Sequence, residues 1–340
     1  MSRPEISKIG VIGAGSWGTT LANLLAEKGC DVDLWVREEE VYHQIKEKRI
    51  NELFLPGMKL VSRLNPVRSF KEALEEKDLI LLVVPSHVFR EVVTQIKPYV
   101  KEGMAFMTAT KGIENDTLMT MSQVARDIFP KKSIEDFSCL AGPSFSKEVF
   151  LKYPTAVTIA CHDLSHAQKL QALFYREYFR VYITHDVIGT ELGGALKNVI
   201  AIGAGVADGL GIGHNARAAL ITRGLAEITR LAVAMGAHPL TLAGLAGMGD
   251  LVLTCTGDLS RNRTVGLKIG KGISINEITA GMTMVAEGIK TARSAYELGK
   301  KMNVEMPITD QAYAVLYEGK DPREAVKELM TRALKVELEH

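Results

Sequence analysis

Cysteine is scarce in this chain and scattered where it occurs. Cys30, Cys139, Cys161 and Cys255 are the four in 340 residues, and no two form a CxxC pair. That spacing speaks against a disulfide framework or a zinc site and fits a reducing, cytoplasmic setting. An excess of either charge is lacking too: 41 Lys and Arg stand against 40 Asp and Glu, a net charge of +1. This balance leaves no electrostatic footprint for nucleic acid or an anionic membrane, so an anion site has to be local, built from a few placed cations. No uncharged stretch reads as long and apolar enough to span a bilayer. Ile200–Leu210 is apolar but short and glycine-rich, so stable membrane insertion is not expected. The start, Met1-Ser2-Arg3-Pro4-Glu5, lacks the apolar run of a signal peptide, and Leu338-Glu339-His340 reads as a truncated tag.

What is present is an ordinary globular composition, 46% hydrophobic and 24% charged. At roughly 150 residues per domain the length predicts two domains. In the first half short apolar runs alternate with helical patterns. Lys8–Ile12, Val32–Val36, Leu79–Val84, Met104–Thr108, Ser138–Ala141, Thr155–Ala160 and Arg180–Thr184 read as strands. Trp17–Lys28, Glu38–Ile50, His87–Val100, Thr117–Ile128 and Leu164–Tyr175 read as helices. Ile80-Leu81-Leu82-Val83-Val84 is apolar on both faces, as a central parallel strand is. The alternation predicts a Rossmann-type, doubly wound parallel α/β sheet. Beyond Asp186 no strand pattern appears. Gly193–Gly205, Ala216–Met235, Val265–Lys271, Ile289–Leu298 and Thr309–Tyr317 read as helices rich in Gly and Ala. We therefore expect a dinucleotide-binding domain over 1–187 and an all-α substrate domain over 188–340.

Gly13-Ala14-Gly15-Ser16-Trp17-Gly18 fits G-x-G-x-x-G, follows a strand and opens a helix. Gly13 permits the tight turn, Gly15 lets a pyrophosphate approach the backbone, and Gly18 lets helix and strand pack closely. The helix N-terminus then presents free N–H groups to the phosphates. At the end of the second strand an acid would suit a ribose 2′-hydroxyl and an arginine a 2′-phosphate. Arg37 stands there, with Glu38-Glu39-Glu40 beyond as the first turn of a helix, which leans towards NADPH and keeps NADH open.

Other residues carry chemistry. Lys111 follows a strand and should lie at the carboxyl edge of the sheet, where ligands bind in such folds. Gly142-Pro143-Ser144-Phe145-Ser146 follows another strand; Ser144 is expected to cap a short helix, in a turn that either holds a ligand oxygen or only caps. Lys197 has Gly193 and Ala201 at i−4 and i+4 on an apolar helix. Desolvation there lowers a lysine's pKa towards the useful range for proton transfer. Ser260-Arg261-Asn262-Arg263 opens a helix with Ser260 as N-cap. Two arginines in a first turn oppose the helix dipole and point to a compensating phosphate or carboxylate. Asp250, beside Gly247 and Gly249, either binds a substrate hydroxyl, orients Lys197 or only caps a turn. His162 and His166 lack a third metal ligand, and Arg223–Glu227 reads as a surface ion pair at i, i+4.

Eight collinear segments spanning nearly the whole chain resemble the bacterial NAD(P)-dependent glycerol-3-phosphate dehydrogenase family. They are GAGSWGTTLA, ATKGIE, AGPSFSKEV, ELGGALKNVIAIGAG, HNARAALITRGLAEI, AGMGDLVLTCTG, LSRNRTVG and VAEGIKTA. The resemblance implies reduction of dihydroxyacetone phosphate to sn-glycerol 3-phosphate for phospholipid synthesis, with NADPH or NADH, and a homodimer. It assigns Lys197 as proton acceptor in the oxidative direction. It makes Lys111, Gly142, Ser144, Asp250, Ser260, Arg261 and Asn262 substrate contacts. It makes Ser16, Trp17, Arg37, Val285 and Glu287 cofactor contacts, with Ser146, where the family often has alanine. Lys111 and Arg261 are to reach both ligands.

Overall fold

The apolar runs of the first half pair edge to edge. The computed structural model describes residues 6–130, 134, 136–282, 286–334, 336 and 337. Its strands are β1 (Lys8–Ile12), β2 (Asp31–Trp35), β3 (Ile50–Asn51), β4 (Leu55–Lys59), β5 (Leu64–Val67), β6 (Leu79–Leu82), β7 (Ala105–Thr108), β8 (Ser138–Ala141), β9 (Thr155–Ala160) and β10 (Phe179–Thr184). Among the described residues eight of these form one sheet in the order β10-β9-β8-β7-β6-β1-β2-β5, and β3 pairs with β4 apart from it. The helices woven between them are α1 (Ser16–Glu27), α2 (Glu39–His43), α3 (Phe70–Leu74), α4 (Phe89–Ile96), α5 (Met121–Ile128), α6 (Ser146–Phe150) and α7 (Leu164–Phe174).

Side chains of the central strands alternate between two apolar layers. Ile9 and Val11 of β1 and Leu79 and Leu81 of β6 enter one cluster; Ile12, Ile80 and Leu82 enter the other. All seven are fully buried, each contributing about 1.5–3 kcal/mol. Apolarity on both faces is thus what a sheet covered on both sides requires. β1 lies between β6 and β2, so the chain order reverses at its carboxyl end, where ligands bind in open α/β sheets.

The sheet departs from the all-parallel expectation at β9, which pairs antiparallel with β8, while β10 runs parallel to β9. The link from β8 to β9 carries only the five-residue α6, too little to return the chain to the far end. β5 and the β3–β4 pair are absent from the sequence reading. LNPV and LPGMK carry proline and do not alternate, yet β5 is an edge strand, where proline costs no ladder bond. The helix expected over Glu38–Ile50 is α2 followed by a π-helical turn, Gln44–Lys48, that closes on Arg49 with φ 59°.

After β10 the described residues form helices and no strand: α8 (Val187–Leu210), α9 (His214–Ala234), α10 (Pro239–Leu242), α11 (Asp250–Thr256), α12 (Arg261–Gly270), α13 (Ile275–Ala280), α14 (Glu287–Lys301), α15 (Pro307–Tyr317) and α16 (Pro322–Met330). α8 starts under an Asp186 cap, whose carboxylate accepts from Gly189 N at 2.8 Å, and ends at Gly211 in the left-handed region. It packs against α9, α11, α12 and α14. Its crossing with α12 is close: a Cβ on Gly205 would stand 2.0 Å from the Arg263 carbonyl oxygen. Val187–Leu210 and Pro239–Thr256 are long and apolar enough to cross a membrane by length and composition, although neither is uncharged: the first carries Glu191, Lys197 and Asp208 and the second Asp250. For α8 the reason is burial, because the hydropathic window that qualifies it is 89% buried as the core of the helical half.

Candidate active site

The site forms where the carboxyl edge of the sheet meets α8 and α11. Gly13 turns the chain out of β1 with φ 117°; a Cβ there would lie 2.5 Å from the Val83 carbonyl oxygen. Gly18 closes helix on loop, since its Cβ would strike the Gly13 carbonyl oxygen at 1.9 Å. Gly15 differs: its missing Cβ faces open space, with nothing within 4 Å. Its place as N-cap of α1 leaves the N–H groups that follow, from Ser16 on, without a side-chain cap. Trp17 brings a buried indole Nε1 with no hydrogen-bond partner among the described residues. A bare cradle at a helix N-terminus beside an orphaned donor fits the diphosphate of a dinucleotide. Arg37 lies at the end of β2, exposed and paired with Glu38 at 2.7 Å. Ser146 opens α6, its carbonyl oxygen facing Thr20 Oγ1 of α1 at 3.4 Å. Val285 lies outside the described residues.

Across this edge stands a cluster of opposite charges. Lys197, near the middle of α8, is only 7% exposed. Its Nζ donates to Asp250 Oδ1 and to Thr254 Oγ1, the latter at 2.7 Å. The other oxygen of Asp250 receives Lys111 Nζ at 2.6 Å, and Lys111 also reaches the Gly142 carbonyl oxygen at 3.3 Å. Asp250 is 1% exposed, so its charge is buried between two ammonium groups. Burial pushes the pKa of Lys197 down to about 8; the Asp250 carboxylate opposes that shift and the Lys111 charge adds to it. An ammonium has three protons, and two of those on Lys197 are engaged.

The turn after β8 is held differently from the sequence reading. Ser144 does not cap a helix: its hydroxyl donates back to the Gly142 carbonyl at 3.0 Å, and the residue before α6 is Phe145. Gly142 adopts φ 136°, and a Cβ there would lie 2.9 Å from Val157 Cα of β9. At the start of α12, Ser260 is the N-cap, accepting from Arg263 N at 3.2 Å. The two arginines of that turn part company. Arg263 is neutralised within the protein, by Asp208 at 2.8 Å and Asp258 at 2.9 Å, so it calls for no outside anion. Arg261 forms no ion pair among the described residues and stands in the field of Glu287. Asn262 is turned inward, donating to Asn198 Oδ1 and accepting from Gly288 N, both at 2.9 Å. Glu287 opens α14 and takes a hydrogen bond from Ser86 Oγ at 2.5 Å; burial raises its pKa.

Sequence reasoning missed Thr254, Asn198 and Ser86. Thr254 follows Asp250 at i+4, which places both on one helix face and was a usable signal once α11 was recognised. Ser86 carries no local signal. The surface pair expected at Arg223–Glu227 does not form: Glu227 is 1% exposed and accepts from Ile308 N at 2.6 Å and Thr309 N at 3.2 Å, capping α15. Among the described residues no group of three or more His, Cys, Asp or Glu is placed to hold a metal ion.

Comparison with known proteins bears on this arrangement. Residues 8–167 match the family profile described as NAD-dependent glycerol-3-phosphate dehydrogenase N-terminus, and residues 186–327 match its C-terminus. The chain is 59% identical over 330 residues to a glycerol-3-phosphate dehydrogenase (NAD(P)+) of Geobacter metallireducens, covering 97% of this chain and 98% of that one. It is 56% identical over 331 residues to one of Syntrophobacter fumaroxidans, covering 97% of each. A solved glycerol-3-phosphate dehydrogenase from Coxiella burnetii superposes with a TM-score of 0.92 at 39% identity, over 96% of this chain and 99% of that one.

Proposed function

The chain belongs to the NAD-dependent glycerol-3-phosphate dehydrogenase family, and we propose that it reversibly reduces dihydroxyacetone phosphate to sn-glycerol 3-phosphate, with NADPH or NADH, for glycerophospholipid synthesis. The observation that carries this reading is the buried Lys197–Asp250–Lys111 cluster at the sheet edge that also carries the glycine cradle, with Arg261 in no ion pair among the described residues. When bound, the nicotinamide supplies the hydride. Gly13, Gly15, Ser16, Trp17 and Gly18 hold the diphosphate end, Arg37 and Ser146 lie further along the cofactor, and Glu287 takes its nicotinamide end. Lys197 gives its third proton to the ketone oxygen in reduction and takes it back in oxidation. Asp250 and Thr254 fix the direction of that proton, and Lys111 adds positive charge where alkoxide character develops. Gly142 and Ser144 border the substrate. Ser260, Arg261 and Asn262 receive its phosphate, so that remote binding energy orients the carbonyl.

We place the division between the two domains at 187/188, supported by the end of β10 at Thr184 and the start of α8 at Val187. We also propose a cytoplasmic homodimer without stable membrane insertion. The four free, buried thiols support the compartment, and exposed Leu240, Met248 and Val252 supply apolar surface for a second copy.

The test is oxidation of NADPH and of NADH, followed by absorbance, with dihydroxyacetone phosphate and with unphosphorylated dihydroxyacetone. We expect turnover of the phosphate ester, and loss of kcat/KM by roughly 100-fold or more without the phosphate. Equal rates on both ketones, or none on either, would overturn the reading.

A further inference from the structure

Two segments 201 residues apart in sequence meet beside the cofactor cradle. Ser86, in the loop that follows β6, donates its hydroxyl to Glu287 Oε2 at 2.5 Å, and its backbone N–H supports the same carboxylate. Ser86 is 3% exposed. Behind it stands Gly112, the residue after Lys111, and the fit is tight. A Cβ on Gly112 would lie 2.3 Å from Ser86 Cβ, 2.4 Å from Ser86 Oγ and 3.7 Å from Glu287 Oε2. Ser86 is therefore wedged between the loop that carries Lys111 and the first turn of α14.

We propose that Ser86 is a positioning residue: it fixes the Glu287 carboxylate, and with it the first turn of α14, in place to face the nicotinamide end of the cofactor. This rests on the reading of Glu287 as a cofactor contact. A glutamate has three side-chain torsions to restrain, and freezing them on binding weakens affinity. With the carboxylate already held by the hydroxyl and the backbone N–H of one residue, that cost is met in the free protein. The carboxylate then stands ready to accept an amide N–H as well, the donor that a nicotinamide carboxamide presents. Removal of the hydroxyl leaves the half-buried carboxylate short of a donor and free to turn.

The experiment is equilibrium titration of NADPH by its own fluorescence in the wild-type protein, Ser86→Ala, Glu287→Ala and the double variant, with steady-state kinetics alongside. We expect Ser86→Ala to weaken NADPH by roughly 5- to 20-fold, Glu287→Ala by at least as much, and the double variant by no more than Glu287→Ala alone. At saturating NADPH, kcat and the KM for the phosphorylated ketone should stay within about threefold in Ser86→Ala, because neither depends on uniform cofactor binding. Wild-type NADPH affinity in Ser86→Ala with loss in Glu287→Ala overturns the role of Ser86 and leaves that of Glu287 standing. Wild-type affinity in Glu287→Ala overturns both. Additive losses in the double variant overturn the action of Ser86 through Glu287. If Ser86→Ala fails to fold, Ser86→Cys keeps the volume with a weaker donor; it should still lose affinity, and wild-type binding there overturns the proposal.

Discussion

Lys197 and Asp250, 53 residues apart, share a hydrogen bond inside the protein, between the middle of α8 and the first residue of α11. Neither charge would be tolerable there alone. Together, with Thr254 and Lys111 completing the set, they leave one proton of the Lys197 ammonium without a partner among the described residues.

Lys197→Ala is expected to lower turnover by a factor on the order of 100 or more while NADPH affinity changes little, since proton transfer is lost and the glycine cradle is untouched. Single-turnover reduction with fluorescence binding controls checks this. Turnover near wild type would remove Lys197 from the role assigned to it.

The pH dependence has opposite signs in the two directions. Reduction needs the ammonium, so its kcat/KM should fall as pH rises through about 8; oxidation needs the free amine and should rise through the same range. Asp250→Asn removes the carboxylate that holds the Lys197 pKa up, so both inflections should move to lower pH. Profiles that stay in place would mean the titrating group is another residue.

Arg261 and Arg263 should separate cleanly although one residue lies between them. Arg261→Ala should raise the KM for the phosphorylated ketone by roughly 10- to 100-fold with little change in melting temperature, as a charge-assisted contact is lost. Arg263→Ala should cost about 1–3 kcal/mol of stability, because it strips Asp208 of a half-buried partner. Kinetics and thermal melts on both variants decide it, and equal effects on KM would contradict the division.

Glu227 holds the start of α15 from α9, and Glu227→Ala should destabilise by about 1–3 kcal/mol by orphaning two buried N–H groups. Burial raises its pKa from 4.5 to about 7, so the folded state binds this proton more tightly than the unfolded chain does. The stability it contributes is full below about 4.5 and is lost as pH rises through about 7. Denaturant melts of wild type and Glu227→Gln across that range should converge at low pH and diverge above it, with the Gln variant the less sensitive to pH.

Much of this protein was legible locally. Strand–glycine–helix order in 8–27 placed the cradle, and the two-faced apolarity of Leu79–Leu82 placed a central strand, because both follow from backbone sterics and burial within a few residues. Lys197 was singled out by its small neighbours on α8. Elsewhere local signals misled: Ser144 looks like a cap and bonds backwards, and Glu227 looks like half of a surface pair and is buried.

The amino-acid order by itself determined the alternating architecture, the change to helices after Asp186 and the residue types available for proton transfer and anion binding. Tertiary structure alone decided that Asp250 lies between Lys111 and Lys197, that Arg263 is neutralised while Arg261 has no ion pair among the described residues, and that β9 turns against β8. The physical reason is range. Steric and capping preferences act over a turn or a strand, whereas the energy of a charge depends on which other charges and how little water the whole fold brings to within a few ångströms of it.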